Sequence, residues 1–140
     1  MADPYDLDRF VAAQADVWPV PLEELREGRK RSHWMWFVFP QIAGLGMSAM
    51  SQHYAIRSRD EAAAYLAHDV LGARLAECTD AALSHAGRVG AEAIFGGIDA
   101  VKLRSSMTLF DAVAPGDRYR RAIDAYYGGD PDPATLGLLN

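Results

Sequence analysis

Residues Ser58 to Leu83 read SRDEAAAYLAHDVLGARLAECTDAAL, and this stretch decides the fold class. Ser58 with Glu61 three residues on is a capping box: a hydroxyl to accept from an exposed N–H, and a carboxylate to reach back. The helix it opens carries Ala62, Tyr65 and Leu66 at helical spacing. A second helix begins near His68-Asp69, with Leu71, Leu75, Cys78 and Ala82 on one stripe. Recurrence of apolar residues every three or four positions is the mark of a helix packed on one side. Gly87 is a natural stop.

Outward from this stretch the same period recurs. Leu7, Phe10, Val11 and Gln14 predict an early helix, with Asp6 accepting from its first N–H groups. Trp18-Pro19-Val20-Pro21 breaks it, because proline lacks the donor that a continuing helix needs. A short helix from about Pro21 to Glu27 places Leu22 and Leu25 inward and ends at Gly28. Ala91 to Phe95 reads as one helical turn closed by Gly96-Gly97, and Ile98 to Val113 is helical again. Asp117 can cap a helix with Tyr119, Ile123 and Tyr126 inward, and Asp132-Pro133 matches a cap followed by proline at the first helical position. Trp34 to Phe39 is the one strong strand candidate, and it is short. The expectation is an all-α, compact helical array of about six to eight helices, forming a single domain over residues 1–140.

Half of the 140 residues are hydrophobic, enough for a core without disulfide staples. A net charge of -5 argues against general nucleic-acid binding, which needs a basic footprint. The single cysteine, Cys78, forms no intrachain disulfide and sits on an apolar stripe as inert core. One cysteine and the polar start Met1-Ala2-Asp3-Pro4, unlike a signal peptide, point to the cytoplasm. The longest apolar-rich run, Trp34 to Pro40, is too short to span a bilayer, so no membrane partner is expected. His33, His53, His68 and His85 lack short ligand spacing, so no metal site is expected and no cofactor is indicated. Gly44-Leu45-Gly46-Met47-Ser48 lacks phosphate-loop spacing and reads as a turn. Asp99 and Glu77 are ionisable candidates in helical regions and, without visible partners, read as solvated charges or caps.

One segment is too odd in composition to be core alone. Arg29-Lys30-Arg31-Ser32-His33-Trp34-Met35-Trp36-Phe37-Val38-Phe39-Pro40-Gln41 sets three cations against four aromatic rings. Arginine and lysine can hold a phosphate or carboxylate, and tryptophan offers a flat face to a base. Such a set suits an anionic ligand with a ring. The structural alternative is that the rings fill the core while the cations meet the C-terminal dipole of the preceding helix. A second constellation is Lys102-Leu103-Arg104-Ser105-Ser106-Met107-Thr108-Leu109-Phe110. On a helix Lys102, Ser105 and Ser106 share a face, while Leu103, Met107 and Phe110 read as core. A lysine beside two hydroxyls can bind an oxyanion. The plainer alternative is that the serines bond back to backbone carbonyls.

Lys30-Arg31-Ser32-His33-Trp34-Met35-Trp36-Phe37-Val38-Phe39-Pro40-Gln41 resembles the signature of a bacterial family, domain of unknown function 1810, whose members are sometimes mislabelled calpastatin. Asp8-Arg9-Phe10 with Gln14, Glu61-Ala62 with Tyr65-Leu66, Ile94-Phe95-Gly96, and Lys102 to Phe110 extend the resemblance over nearly the whole chain. Trp18 and Pro19 depart from it, standing where a less constrained connection is expected. The resemblance implies a compact all-helical fold and no settled activity.

Two functional readings follow. In the first, the chain binds or processes a phosphorylated, nucleotide-like ligand, ADP-ribose or a relative. Arg29, Lys30 and Lys102 meet anionic oxygens, Trp34 or Trp36 stacks, and Ser105 and Ser106 line the site. Ser32, His33 and Gln41 orient polar groups, with His33 the acid/base candidate because of its near-neutral pKa. In the second, the Trp/Phe segment docks a protein partner without catalysis. Both leave the oligomeric state open. The first requires Lys30 and Lys102 to share one cleft with an anion between them, and expects either lysine to be replaceable by alanine with little loss of stability.

Overall fold

Ten helices form among the described residues of the computed structural model, which describes residues 3–139. Met1 and Ala2, part of the polar start, lie outside them. In chain order the helices are α1 Asp8–Ala15, α2 Val20–Glu27, α3 Met35–Val38, α4 Ala49–His53, α5 Arg59–Ala67, α6 Asp69–Leu83, α7 Ala91–Phe95, α8 Gly97–Val113, α9 Arg118–Tyr127 and α10 Pro133–Leu138. The sequence predicts about six to eight. The excess comes from single turns such as α3 and α4, of four and five residues, which are held by their surroundings. Isolated helices this short are unstable in water.

Most caps form as the residues dictate. Ser58 Oγ accepts from Glu61 N–H at 3.0 Å, Asp132 accepts from Ala134 N–H, and Gly28 closes α2 at φ 82°. Two expectations change. Asp6 does not cap α1; the Asp3 carboxylate does, accepting from Leu7 N–H at 2.8 Å and Asp8 N–H at 3.0 Å. Helix α6 ends at Leu83, with Ser84 as its cap, before Gly87 is reached.

The strand candidate Trp34 to Phe39 is instead the turn α3. Trp34, Met35, Phe37, Val38 and Phe39 are all buried, which defeats an alternating strand with one wet face. A helical turn lets consecutive side chains leave in all directions into surrounding core. Its Phe37 carbonyl is held from outside, accepting from Gln14 Nε2 at 2.7 Å and the Tyr65 hydroxyl at 3.2 Å.

The apolar stripe of α6 (Leu71, Leu75, Cys78, Ala82) and the inner face of α8 (Leu103, Met107, Phe110) belong to one contiguous core, joined through α5 and α9, which pack on both helices. Helix α8 packs against α5, α7, α9 and α10, and α2 against α6. A second tie is ionic. Arg9 of α1 meets Glu61 of α5 at 2.8 Å, both nearly buried, and donates to the Tyr5, Asp6, His53 and Ala55 carbonyls. Glu61 therefore accepts from Arg57 N–H and from Arg9, rather than from the Ser58 N–H of a closed capping box. No described helix is long and apolar enough to cross a membrane.

Candidate functional site

The segment that leads into α3 is built around one buried acid, Glu24 of α2. Its carboxylate accepts from Trp34 Nε1–H at 2.8 Å, Arg31 N–H at 2.9 Å, Ser32 N–H at 3.2 Å and the Ser32 hydroxyl. Burial pushes the carboxyl up, but the hydrogen bonds from Ser32, Arg31 and Trp34 outweigh burial and hold it below the usual glutamate value. This anchor fixes the backbone from Arg31 to Trp34, so Lys30 and Trp36 leave on the side facing α8.

There the two lysines meet. Lys30 Nζ lies 2.9 Å from Asp99 Oδ2, and Lys102 Nζ lies 3.7 Å from Asp99 Oδ1. Each ammonium also sits over a ring: Lys30 at 5.0 Å from the Trp34 centroid, Lys102 at 5.0 Å from the Trp36 centroid. The Lys30 side chain is only 7% exposed and donates as well to the Ser32 carbonyl. Lys30, Asp99, Lys102 and Trp36 edge a cleft of about 460 Å³, completed by His33, Phe95 and the first turn of α8. The anion between the cations is thus the protein's own. Asp99 neutralises one positive charge and sits where the α8 dipole favours a carboxylate. Lys102 is held less closely, beyond hydrogen-bonding distance of Asp99.

The remaining candidates divide by place. His33 is exposed at the rim of the cleft. Trp34 is fully buried with its N–H bound to Glu24, so it offers no face for stacking; only Trp36 reaches the cleft. Ser32 binds Glu24 and is not part of the lining, and Arg29 is exposed away from it. Gln41 and Ser105 line a second basin beside the first, and Ser105 Oγ donates to Asp132 at 2.7 Å. Ser106 does not share the open face of Lys102: it is fully buried, and its hydroxyl has no partner among the described residues. Four residues past Lys102, it has turned far enough around α8 to face the core.

Two residues that build this arrangement escape assignment to it from the sequence: Glu24, and Asp99, which reads there as an ionisable candidate without a visible partner. Glu24 has one usable signal: it lies between the inward residues Leu22 and Leu25 of an amphipathic helix. Asp99 has only its spacing of three from Lys102.

Comparison with known proteins bears on the whole chain. The model of a family described as protein of unknown function, DUF1810, matches residues 4–139. The chain belongs to this family. A DUF1810 member therefore carries the Glu24 anchor and the shared Asp99. Among solved structures, the chain is similar to the conserved hypothetical protein Rv1873 from Mycobacterium tuberculosis, at 51% identity over 98% of each chain and a TM-score of 0.91. No curated protein matches. Within the DUF1810 chain the scattered motifs each take a structural part: Gln14 and Tyr65 hold α3, Arg9 and Glu61 tie α1 to α5, and the signature and α8 face each other across the cleft.

Proposed function

We propose that this chain is a small cytoplasmic protein that binds or processes a phosphorylated, nucleotide-like ligand, ADP-ribose or a relative, in the cleft between the signature segment and α8. The observation that carries this reading is the Lys30–Asp99–Lys102 arrangement beside Trp36. Asp99 and the Ser32 carbonyl engage Lys30, which shapes the site from beneath. Lys102 is loosely held, about a fifth exposed, and borders a cavity of ligand size. A phosphate entering there meets the Lys102 ammonium near the start of α8, which no side chain caps and whose dipole favours negative charge. Trp36 supplies an apolar wall for the adjoining sugar. His33, at the rim, is the group placed to move a proton if the ligand is processed.

The docking alternative rests on an exposed Trp/Phe surface. Of that segment's rings, Trp34, Phe37 and Phe39 are buried and Trp36 is half-buried, so the ligand reading is preferred. A thermal-shift titration with ADP-ribose, ADP and pyrophosphate tests it. A ligand that binds only the folded chain adds about 2.7 kcal/mol at a hundred times its Kd. The expected result is a rise in midpoint for the wild type that Lys102→Ala abolishes. No shift with any of the three, or the same shift in Lys102→Ala, overturns the reading.

A further inference from the structure

The cleft does not end at Lys102. On the other side of that lysine, and of Ile98, lies a second basin of about 480 Å³ that shares both residues with the first. Its walls are apolar, from Leu45, Ile98, Val101 and Ala134. Ile98 and Val101 are 77% and 66% exposed although they stand on a well-packed helix. Its far side is rigid: Asp132 accepts from the Ser105 and Thr135 hydroxyls, and Arg104 donates to the Asp130 and Pro131 carbonyls. Those polar groups satisfy one another. Gln41 differs. Its backbone is pinned, with its carbonyl accepting from Ile56 N–H at 2.8 Å beside the Ile42–Ile56 bridge. Gln41 borders this basin as well as a smaller one on its other side, and its carboxamide has no hydrogen-bond partner among the described residues. A fixed backbone that carries an unpaired carboxamide beside an apolar basin offers a donor and an acceptor to a ligand there.

Trp36 is the other surface that could receive a base, and it is already engaged. It packs against the core, and the Lys102 ammonium stands over its ring. We infer that the second basin receives the adenine base of the phosphorylated ligand, with the Gln41 carboxamide paired to the N6 and N7 edge. This rests on the reading of the first cleft as the phosphate site, and Lys102, bordering both spaces, lies where phosphate and base are joined. A glutamine meets adenine by donating to N7 and accepting from the N6 amino group. Hypoxanthine has an oxygen where adenine has that amino group, so the same carboxamide is left with one mismatched atom.

Isothermal titration with ADP, IDP and inorganic pyrophosphate separates the two layers of the argument. The wild type should bind ADP about tenfold more tightly than IDP, as one good bidentate pair confers. Gln41→Ala should bring the ADP to IDP ratio to about one, with circular dichroism confirming that the variant folds. Lys102→Ala should weaken all three compounds together. Equal wild-type binding of ADP, IDP and pyrophosphate overturns the basin inference and leaves the phosphate cleft standing. A preference that survives Gln41→Ala but disappears in Trp36→Leu places the base on Trp36 and also overturns it. If none of the three binds, both readings fall.

Discussion

At the scale of single residues, Glu24 and Lys30 matter for a reason opposite to the one their charge suggests. Both are buried and both are satisfied, so each is costly to remove. Glu24→Gln keeps the shape but loses charge-assisted bonds to Ser32, Arg31 and Trp34, and should destabilise by about 1–3 kcal/mol in urea denaturation at neutral pH. The pH dependence follows from the depressed carboxyl. A group whose folded pKa lies below its unfolded one binds its proton less readily in the folded chain. Its contribution is fully present above the ordinary glutamate value of 4.5 and fades as pH falls through the depressed folded value. Between neutral pH and acid, the wild type should therefore lose stability more steeply than Glu24→Gln; parallel curves would show that the carboxylate is not the anchor. The lysines should also separate. The sequence suggests that either can be replaced without loss, because two like charges repel. Asp99 changes that sum. Lys30→Ala leaves Asp99 without its 2.9 Å partner and removes a bond to the Ser32 carbonyl, so a loss of about 1–3 kcal/mol is expected. Lys102→Ala removes a longer, more exposed pair and should change stability by less than about 1 kcal/mol. Equal losses in a thermal melt would contradict the assignment of Lys30 to structure and Lys102 to the ligand.

At the scale of the element, α6 shows how packing overrides propensity. Gly72 lies near the start of this helix, and replacing an interior glycine by alanine ordinarily stabilises a helix by about 1 kcal/mol. Here a Cβ at Gly72 would stand 2.1 Å from the Leu66 carbonyl oxygen of α5. That oxygen belongs to backbone and cannot swing away, so α5 and α6 would have to separate. Gly72→Ala should lower the melting midpoint despite its better propensity; a rise would mean that the α5–α6 elbow yields easily. In the same helix, Leu75→Ala should cost about 2–5 kcal/mol, since Leu75 is buried where α6 meets the common core. The short elements depend on such neighbours. Helix α3 has one full turn, and Gln14 and Tyr65 supply from α1 and α5 the bonds that its own length cannot.

At the scale of the whole molecule, one core joins both halves of the chain, and Cys78 reports on its integrity. The thiol is fully buried on the α6 stripe, and burial pushes its pKa up to about 12. At neutral pH it stays protonated as well as inaccessible. A disulfide reagent such as 5,5′-dithiobis(2-nitrobenzoate) should react with it in denaturant and at a negligible rate in native buffer, with any native reaction reporting opening of the core. Rapid native reaction would show that α6 opens locally.

The helical class, most of the boundaries and the inner faces of α6 and α8 were legible in the sequence, because period and caps act within a few residues of one another. Ser58, Gly28, Asp117 and Asp132 terminate helices by bonds to their near neighbours, so their meaning is local. The sequence also marked the signature segment and the Lys102 segment as unusual. What it could not assign was each side chain's partner. Trp34 and Trp36 differ by two positions, yet one is sealed against Glu24 and the other reaches the cleft. Lys30 and Lys102 are brought to one carboxylate by the packing of α8 against the rest. Tertiary structure alone decided these matters, because a polar group's role depends on which partner reaches it within about 3 Å, and for Glu24, Lys30 and Gln41 that partner, or its absence, is set by how separate segments pack together.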